Sequence, residues 1–215
     1  HTYGRIDFTG DIDELLLDLS RKSYEEDKNA TLKKIKVCRN VTVAKSGIYT
    51  ELKFRNQYWL VFADLEKLDV SKVNNFSRLF ENCTNLADLR ISSWCPKPKD
   101  LYRAFYWCTK LKKLDLSKWN VSEVDYVTEM FCACQSLKEV ILDNWNLTNY
   151  NRMITKDNWE AYEYYVFSGI PSDRFGLKIY LRNCNKETRN VVKRWVGNSV
   201  IAQGQPTTGV TYIEK

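Results

Sequence analysis

The chain has one histidine in 215 residues, and that one is His1. A Ser-His-Asp or Cys-His arrangement therefore has no credible base. Glycine is sparse too, with none between Gly47 and Gly169. A glycine-rich phosphate cradle is thereby excluded from that stretch, and no H-E-x-x-H, G-x-S-x-G or Walker sequence occurs. No run of 18 apolar residues is present, so no helical membrane span is expected. There is no signal-peptide pattern at the start, but the chain begins with His1 rather than Met, so its compartment stays open. Carboxylate pairs such as Asp64/Glu66 and Glu123/Asp125 offer acid–base chemistry in principle. Acidic residues on solvated turns are the commoner case, and the chain is read as non-enzymatic and without a cofactor.

The net charge is +6, and its distribution is even. Residues 62–150 hold 12 basic and 12 acidic side chains, residues 1–61 hold 11 and 9, and residues 151–215 hold 10 and 6. A nucleic-acid binder concentrates its excess on one face, so a nucleic-acid partner is not expected. Seven cysteines, an odd number without close pairing, argue against a disulfide framework. Cys132-Ala-Cys134 has no second Cys/His pair at finger spacing, so no metal is expected. Six N-x-S/T sequons begin at Asn29, Asn40, Asn75, Asn82, Asn120 and Asn146. Four lie in or beside repeats, where turns favour Asn followed by Ser or Thr.

What is abundant is repetition. Phe80-x-x-Cys83-x-x-Leu86-x-x-Leu89-x-Ile91-x-x-Trp94 recurs as Phe105, Cys108, Leu111, Leu114, Leu116, Trp119, and again as Phe131, Cys134, Leu137, Val140, Leu142, Trp145. A period of 25 and then 26 residues marks a solenoid, in which each unit buries its apolar face on the next. The predicted fold class is α/β: a leucine-rich-repeat solenoid of about six rungs with a parallel sheet, forming one domain over residues 1–215. Cys83, Cys108 and Cys134 are expected to stack as buried hydrophobes; if that position is helical, copies lie about 8–10 Å apart, too far for a disulfide.

Taken in order, residues 3–8 predict a strand and Ile12, Leu15, Leu16 and Leu19 an amphipathic helix capping the N-terminal end. Leu32-x-x-Ile35-x-Val37 reads as a degenerate first rung. Residues 48–54 and 58–62 predict a β-hairpin, and Leu65-x-x-Leu68-x-Val70 a second rung whose Val73 takes the tryptophan place. The regular repeats span 62–150. The next matching strand, Leu177-x-Ile179-x-Leu181, comes 39 residues after the last, and the insertion 143–176 carries a run of aromatics. A helix capped by Asn185 follows, with Val191, Val192, Trp195 and Val196 on one side and Gly197 at C′. Val200-Ile201 and residues 210–212 predict a terminal hairpin.

Met130-Phe131, then Cys134, then Asp115-Leu116-Ser117-Lys118-Trp119-Asn120 in the preceding copy, resemble the BspA-like class of leucine-rich repeats over about residues 62–150. The resemblance implies a recognition or adhesion protein of the kind found on bacterial cell surfaces, in some protists and in viral genomes. It does not extend to the caps or to the insertion, and it leaves a virion or cytoplasmic location open.

The tryptophans and phenylalanines hold fixed offsets and are read as core. The x positions point outward, as Lys34/Lys36, Lys67/Asp69, Asp88/Arg90, Lys113/Asp115, Glu139/Ile141 and Lys178/Tyr180. Opposite charges across strands serve solubility or polar recognition. Candidate partner-binding residues are Arg90, Lys113, Asp115, Glu139, Ile141, Lys178 and Tyr180 on the strand face. Trp159, Tyr162, Tyr164 and Tyr165 in the insertion are of types that carry interface energy. A protein or glycan is the expected partner of a recognition or adhesion module. The alternatives are a structural part of a larger assembly, such as a virion decoration or fibre, and an intracellular scaffold.

Overall fold

The computed structural model describes residues 34–37, 40–43, 52–153, 163, 165–170, 176–201 and 209–215. The expected N-terminal strand and helix lie outside these residues. The strands are short, and β1, β5 and β6 each place one apolar residue between two outward charged ones. They are β1 (Lys34–Lys36), β2 (Val41–Thr42), β3 (Phe62–Asp64), β4 (Leu68–Asp69), β5 (Asp88–Arg90), β6 (Lys113–Asp115), β7 (Glu139–Ile141), β8 (Leu177–Tyr180) and β9 (Val210–Ile213). All pair in parallel, as β1-β3-β5, β6-β7-β8-β9 and the small pair β2-β4. Among the described residues, two helices complete the α/β fold, α1 (Thr148–Met153) and α2 (Lys186–Ile201). Neither is long and apolar enough to cross a membrane.

The connections between strands stack as a second ladder. Phe76, Arg78, Phe80 and Asn82 donate backbone N–H to the carbonyls of Asp100, Tyr102, Ala104 and Tyr106. Leu101, Arg103, Phe105 and Trp107 donate in turn to Tyr126, Thr128, Met130 and Cys132. These segments are tight turns, closed for example by Leu79 N–H to Phe76 C=O and Cys83 N–H to Phe80 C=O. The cysteine position is therefore a turn rather than a helix. Arg78, Arg103 and Glu129, and Asn82, Trp107 and Ala133, all have φ between +53° and +60°, the left-handed region, without a glycine among them.

Behind the ladder runs a phenylalanine column. Ring centroids of Phe54, Phe80, Phe105, Phe131 and Phe167 are 5.0, 6.1, 5.8 and 5.0 Å apart in succession, all stacked. The cysteines Cys83, Cys108 and Cys134 lie beside it, fully buried and unpaired. Each donates its thiol to the carbonyl of Phe54, Phe80 or Phe105, respectively, in the preceding unit. Burial pushes the Cys83 thiol up to about 12 and raises Cys108 and Cys134 well above the ordinary value. The reduced state was expected from helix spacing; the turns provide a different reason, a hydrogen bond and a dry pocket for each thiol.

Five expectations are corrected. Phe62–Asp64, not Leu65–Val70, pairs between β1 and β5, so Phe62/Asp64 replace Lys67/Asp69 as the outward pair. Leu68 then takes the tryptophan place, since Leu68 N–H bonds Leu65 C=O as Trp94 N–H bonds Ile91 C=O. Residues 48–51 of the expected hairpin lie outside the described residues, and within the described part Leu52, Phe54 and Asn56 do not pair with 58–62 but donate to Asn75, Leu79 and Glu81. The terminal hairpin does not form either, because Val200-Ile201 belong to α2 and β9 joins β8 in parallel. Gly197 lies inside α2 rather than after it. Asn185 does cap α2, its Oδ1 accepting Thr188 N–H at 2.8 Å.

The insertion keeps the stack going. Phe131 and Ala133 donate N–H to Val166 and Ser168, and Gly169 packs so close to Ala133 that an added Cβ would lie 3.2 Å from its Cα. Glu163, fully buried, accepts Arg194 Nε–H (2.9 Å) and Trp195 Nε1–H (3.1 Å), tying the insertion to α2.

Candidate functional site

The strand face is built of registered columns. Lys34, Phe62 and Asp88 share one position in the first sheet, and Lys113, Glu139, Lys178 and Thr211 continue it in the second. The neighbouring outward column runs Lys36, Asp64, Arg90, then Asp115, Ile141, Tyr180 and Ile213. Seven of the expected site residues thus fall on this surface. Arg90 pairs with Asp88 (3.2 Å) and lies 5.0 Å above the Phe62 ring. Lys113 Nζ meets Glu139 Oε2 at 3.2 Å, and Asp115 Oδ1 accepts Ser117 N–H at 3.0 Å. Arg182 covers Tyr180 at 5.4 Å.

Between β5 and β6 the sheet is interrupted. Val61 C=O accepts the N–H groups of Ala87 and Asp88, and Lys112 C=O those of Lys138 and Glu139. Ala87 C=O, their equivalent, receives no backbone N–H from β6 among the described residues. Leu65, Leu116 and Leu142 donate N–H to Arg90, Ile141 and Tyr180, whereas Ile91 N–H finds no partner in β6 among the described residues. The alternation of a parallel ladder turns the Leu89 N–H and C=O, and those of Lys113 and Asp115, into the same gap. The turn ladder remains closed behind it, from Leu101–Tyr126 to Trp107–Cys132. The opening is a wedge, wide at the strand face.

A cleft of about 440 Å³ occupies this place, lined by Glu66, Ala87–Ser92, Lys112, Lys113 and Asp115. Three anionic side chains (Glu66, Asp88, Asp115) face three cationic ones (Arg90, Lys112, Lys113). Leu89 is only half-buried, while its equivalents Ala63, Leu114, Val140 and Ile179 are at most 1% exposed. From inside, Trp94 and Trp145 donate Nε1–H to the carbonyls of Leu65 and Leu116, both at 2.8 Å. Trp119, whose equivalent acceptor is Ile91 C=O, leaves its Nε1–H unpaired among the described residues although it is 2% exposed. The rim on the β3 side is firm. Glu66 accepts Ser92 N–H (2.8 Å), Ser92 Oγ–H (2.9 Å) and Ser93 N–H (2.8 Å). Burial raises its pKa, but these hydrogen bonds outweigh that and hold the carboxyl below its ordinary value.

Arg90, Lys113 and Asp115 are therefore brought together at the cleft, while Glu139, Ile141, Lys178 and Tyr180 extend away from it. Tyr165 is half-buried at φ 51° beside the buried Val166 and Phe167. Trp159, Tyr162 and Tyr164 lie outside the described residues. Sequence reasoning did not find Glu66, Leu89 or Lys112 as cleft residues, nor the exposed Tyr58, Trp59, Val61, Trp107 and Tyr126. A sign was present. The link from strand to turn ladder, residues 91–100, has 10 residues and carries Pro96 and Pro98; its neighbours, 65–75 and 116–126, have 11.

Parallel strands at a period of about 26 residues, joined by stacked turns, define a repeat protein with an open, charged strand face. A family model described as Mycoplasma protein of unknown function, DUF285, matches residues 50–160, and the chain belongs to this family, which is related to BspA-like repeats. No curated protein and no solved structure matches the chain.

Proposed function

We propose that the chain is a non-catalytic recognition or adhesion module of the BspA-like leucine-rich-repeat type, a solenoid of about six rungs. Its partner is a protein or glycan, met by the strand face, with the 143–176 insertion flanking the C-terminal end. One observation carries this reading: the cleft between β5 and β6, where Arg90, Lys113 and Asp115 meet backbone groups that the described chain leaves unpaired. Polar groups held open at a surface lose little on desolvation when a partner supplies the missing bonds. Charges of both signs along the columns favour register and specificity more than raw affinity.

The test is selection of binders from a random peptide display library and, in parallel, a glycan array, each read with the wild type and with the Arg90→Glu/Lys113→Glu double variant. Enrichment by the wild type that the variant loses, with its melting temperature unchanged, supports the reading. Binding that survives the double charge reversal places recognition away from the strand face and overturns it.

A further inference from the structure

We propose that Trp107, on the turn ladder, is the stacking platform of a second binding site, which takes the apolar face of a neutral sugar ring with all its substituents equatorial, such as a β-glucoside unit. The site lies apart from the strand face and does not depend on the reading given to that surface.

Trp107 is out of place on backbone grounds. Its ladder position is held in turn by Asn56 (φ 62°), Asn82 (φ 60°), Trp107 (φ 59°), Ala133 (φ 60°) and Gly169 (φ 69°). The N–H groups of Asn56, Asn82, Trp107 and Ala133 align them by bonding the carbonyls of Glu81, Tyr106, Cys132 and Ser168. Left-handed backbone suits Gly and Asn and is an outlier for a bulky side chain. Nor does burial compensate: the Trp107 side chain is 46% exposed, whereas Trp94, Trp119, Trp145 and Trp195 are at most 2% exposed. Strain kept without burial points to a use at the surface. The indole is also steadied from one side. The Tyr106 ring lies 6.3 Å away with its plane tilted by 34°, and the Arg103 guanidinium sits 4.7 Å from the Tyr106 ring centre. A platform fixed in advance loses little freedom when a ligand lies on it.

The surroundings select the ligand. Arg78 and Arg103 are matched by Glu81 and Glu129, with Arg78–Glu81 at 3.9 Å, Arg103–Glu81 at 3.6 Å and Arg103 paired with Glu129. Cations already held by carboxylates leave no seat for a phosphate or an acidic sugar, which disfavours a stacked nucleotide. A protein partner buries several large apolar side chains at the core of its interface, but the ladder neighbours of Trp107 are Asn82 and Ala133. A sugar ring with equatorial substituents has the matching form, C–H groups on both faces and hydroxyls around the rim. One face covers the indole. The rim then faces the Asn82 carboxamide, one ladder step or about 4.8 Å away. Asn82 gives one Nδ2 hydrogen to Asn56 Oδ1 (3.0 Å), and a carboxamide has a second donor and an acceptor oxygen besides.

The experiment uses the full ¹⁵N-labelled chain and follows the Trp107 indole N–H and the Asn82 side-chain amide during titration with cellobiose. Sorbitol, which carries hydroxyls without a ring face, is the control. Cellobiose is expected to shift both signals saturably, with half-saturation on the order of 10 mM because a single platform carries the contact. Sorbitol should shift them several-fold less. Trp107→Asn puts at this position the residue that Asn56 and Asn82 already place there, and should abolish the Asn82 response while leaving the amide signals of the strand face in place. A silent Trp107 signal, an equal response to sorbitol, or an Asn82 response that survives in the variant overturns the proposal. Displayed peptides that bind the wild type but not Trp107→Asn, with cellobiose silent, overturn the sugar and assign the indole to a protein partner.

Discussion

The turn side and the strand side of this protein are built from the same repeats, yet they solve the stacking problem differently. On the turn side the backbone ladder runs from Leu52 to Ser168 and crosses the long insertion without losing the phenylalanine column. On the strand side the residue types change at every unit, and the ladder stops between β5 and β6. The turn side even holds Arg78, Arg103 and Glu129 in the left-handed region, at about 1–3 kcal/mol per strained residue in general. Such conformations persist only where the surroundings over-determine them. One rigid side thus leaves the other at liberty to vary, and to open.

The largest test of this contrast removes one ring from each side. Phe105 is fully buried between Phe80 and Phe131, so Phe105→Ala should cost about 3–5 kcal/mol, read as a fall in the urea midpoint. Phe62 is half-buried on the strand face, and Phe62→Ala should cost about 1 kcal/mol. Similar losses at the two positions would erase the distinction between scaffold and variable surface.

A smaller effect separates the two strand junctions. Glu139 N–H donates to Lys112 C=O (3.2 Å), while Lys113 N–H, its equivalent one unit earlier, meets no carbonyl of β5 among the described residues. Proline removes that donor in both cases. Glu139→Pro should therefore cost about 1–3 kcal/mol more than Lys113→Pro. Equal destabilisation in a thermal melt would show that β5 and β6 are joined like the rest.

Much of the turn side was legible in the sequence because its signal is apolar and periodic. Phe80, Phe105 and Phe131, the three cysteines and the three tryptophans all sit where their spacing placed them, buried. The phase of the second unit was not legible: Leu65-x-x-Leu68 satisfies both the Leu-x-x-Leu phrase and the Ile91-x-x-Trp94 phrase, and only backbone pairing separates the two. The hairpin expected over 48–62 is a local pairing, but the partners of Leu52 and Phe54 lie more than 20 residues onward, beyond any local pattern. Phe167 was hidden by the 36-residue interval from Phe131. Of the candidate site, Arg90, Lys113 and Asp115 could be found because outward positions alternate. The slot between them could not, since it is made of backbone groups that every residue carries. Its only written trace is the short link holding Pro96 and Pro98.

The smallest effect concerns the firm rim of the cleft. Glu66 joins β3 to β5 through Ser92 and Ser93, a tie that no described side chain repeats between Ser92 and Ser117 across the open junction. The folded-state pKa of Glu66 lies below its ordinary value of 4.5, so the ionised form is the one that folding favours. Its contribution is therefore fully present above pH 4.5 and is lost as the pH falls through the lower, folded value. Glu66→Gln should reduce stability by about 1 kcal/mol at pH 7, a modest figure because the group is partly solvated. The difference between variant and wild type should shrink as the pH is lowered from 6 to about 3. A gap of constant size over that range would show that Glu66 holds the serines equally well when protonated, and that the firmness of this junction owes nothing to its charge.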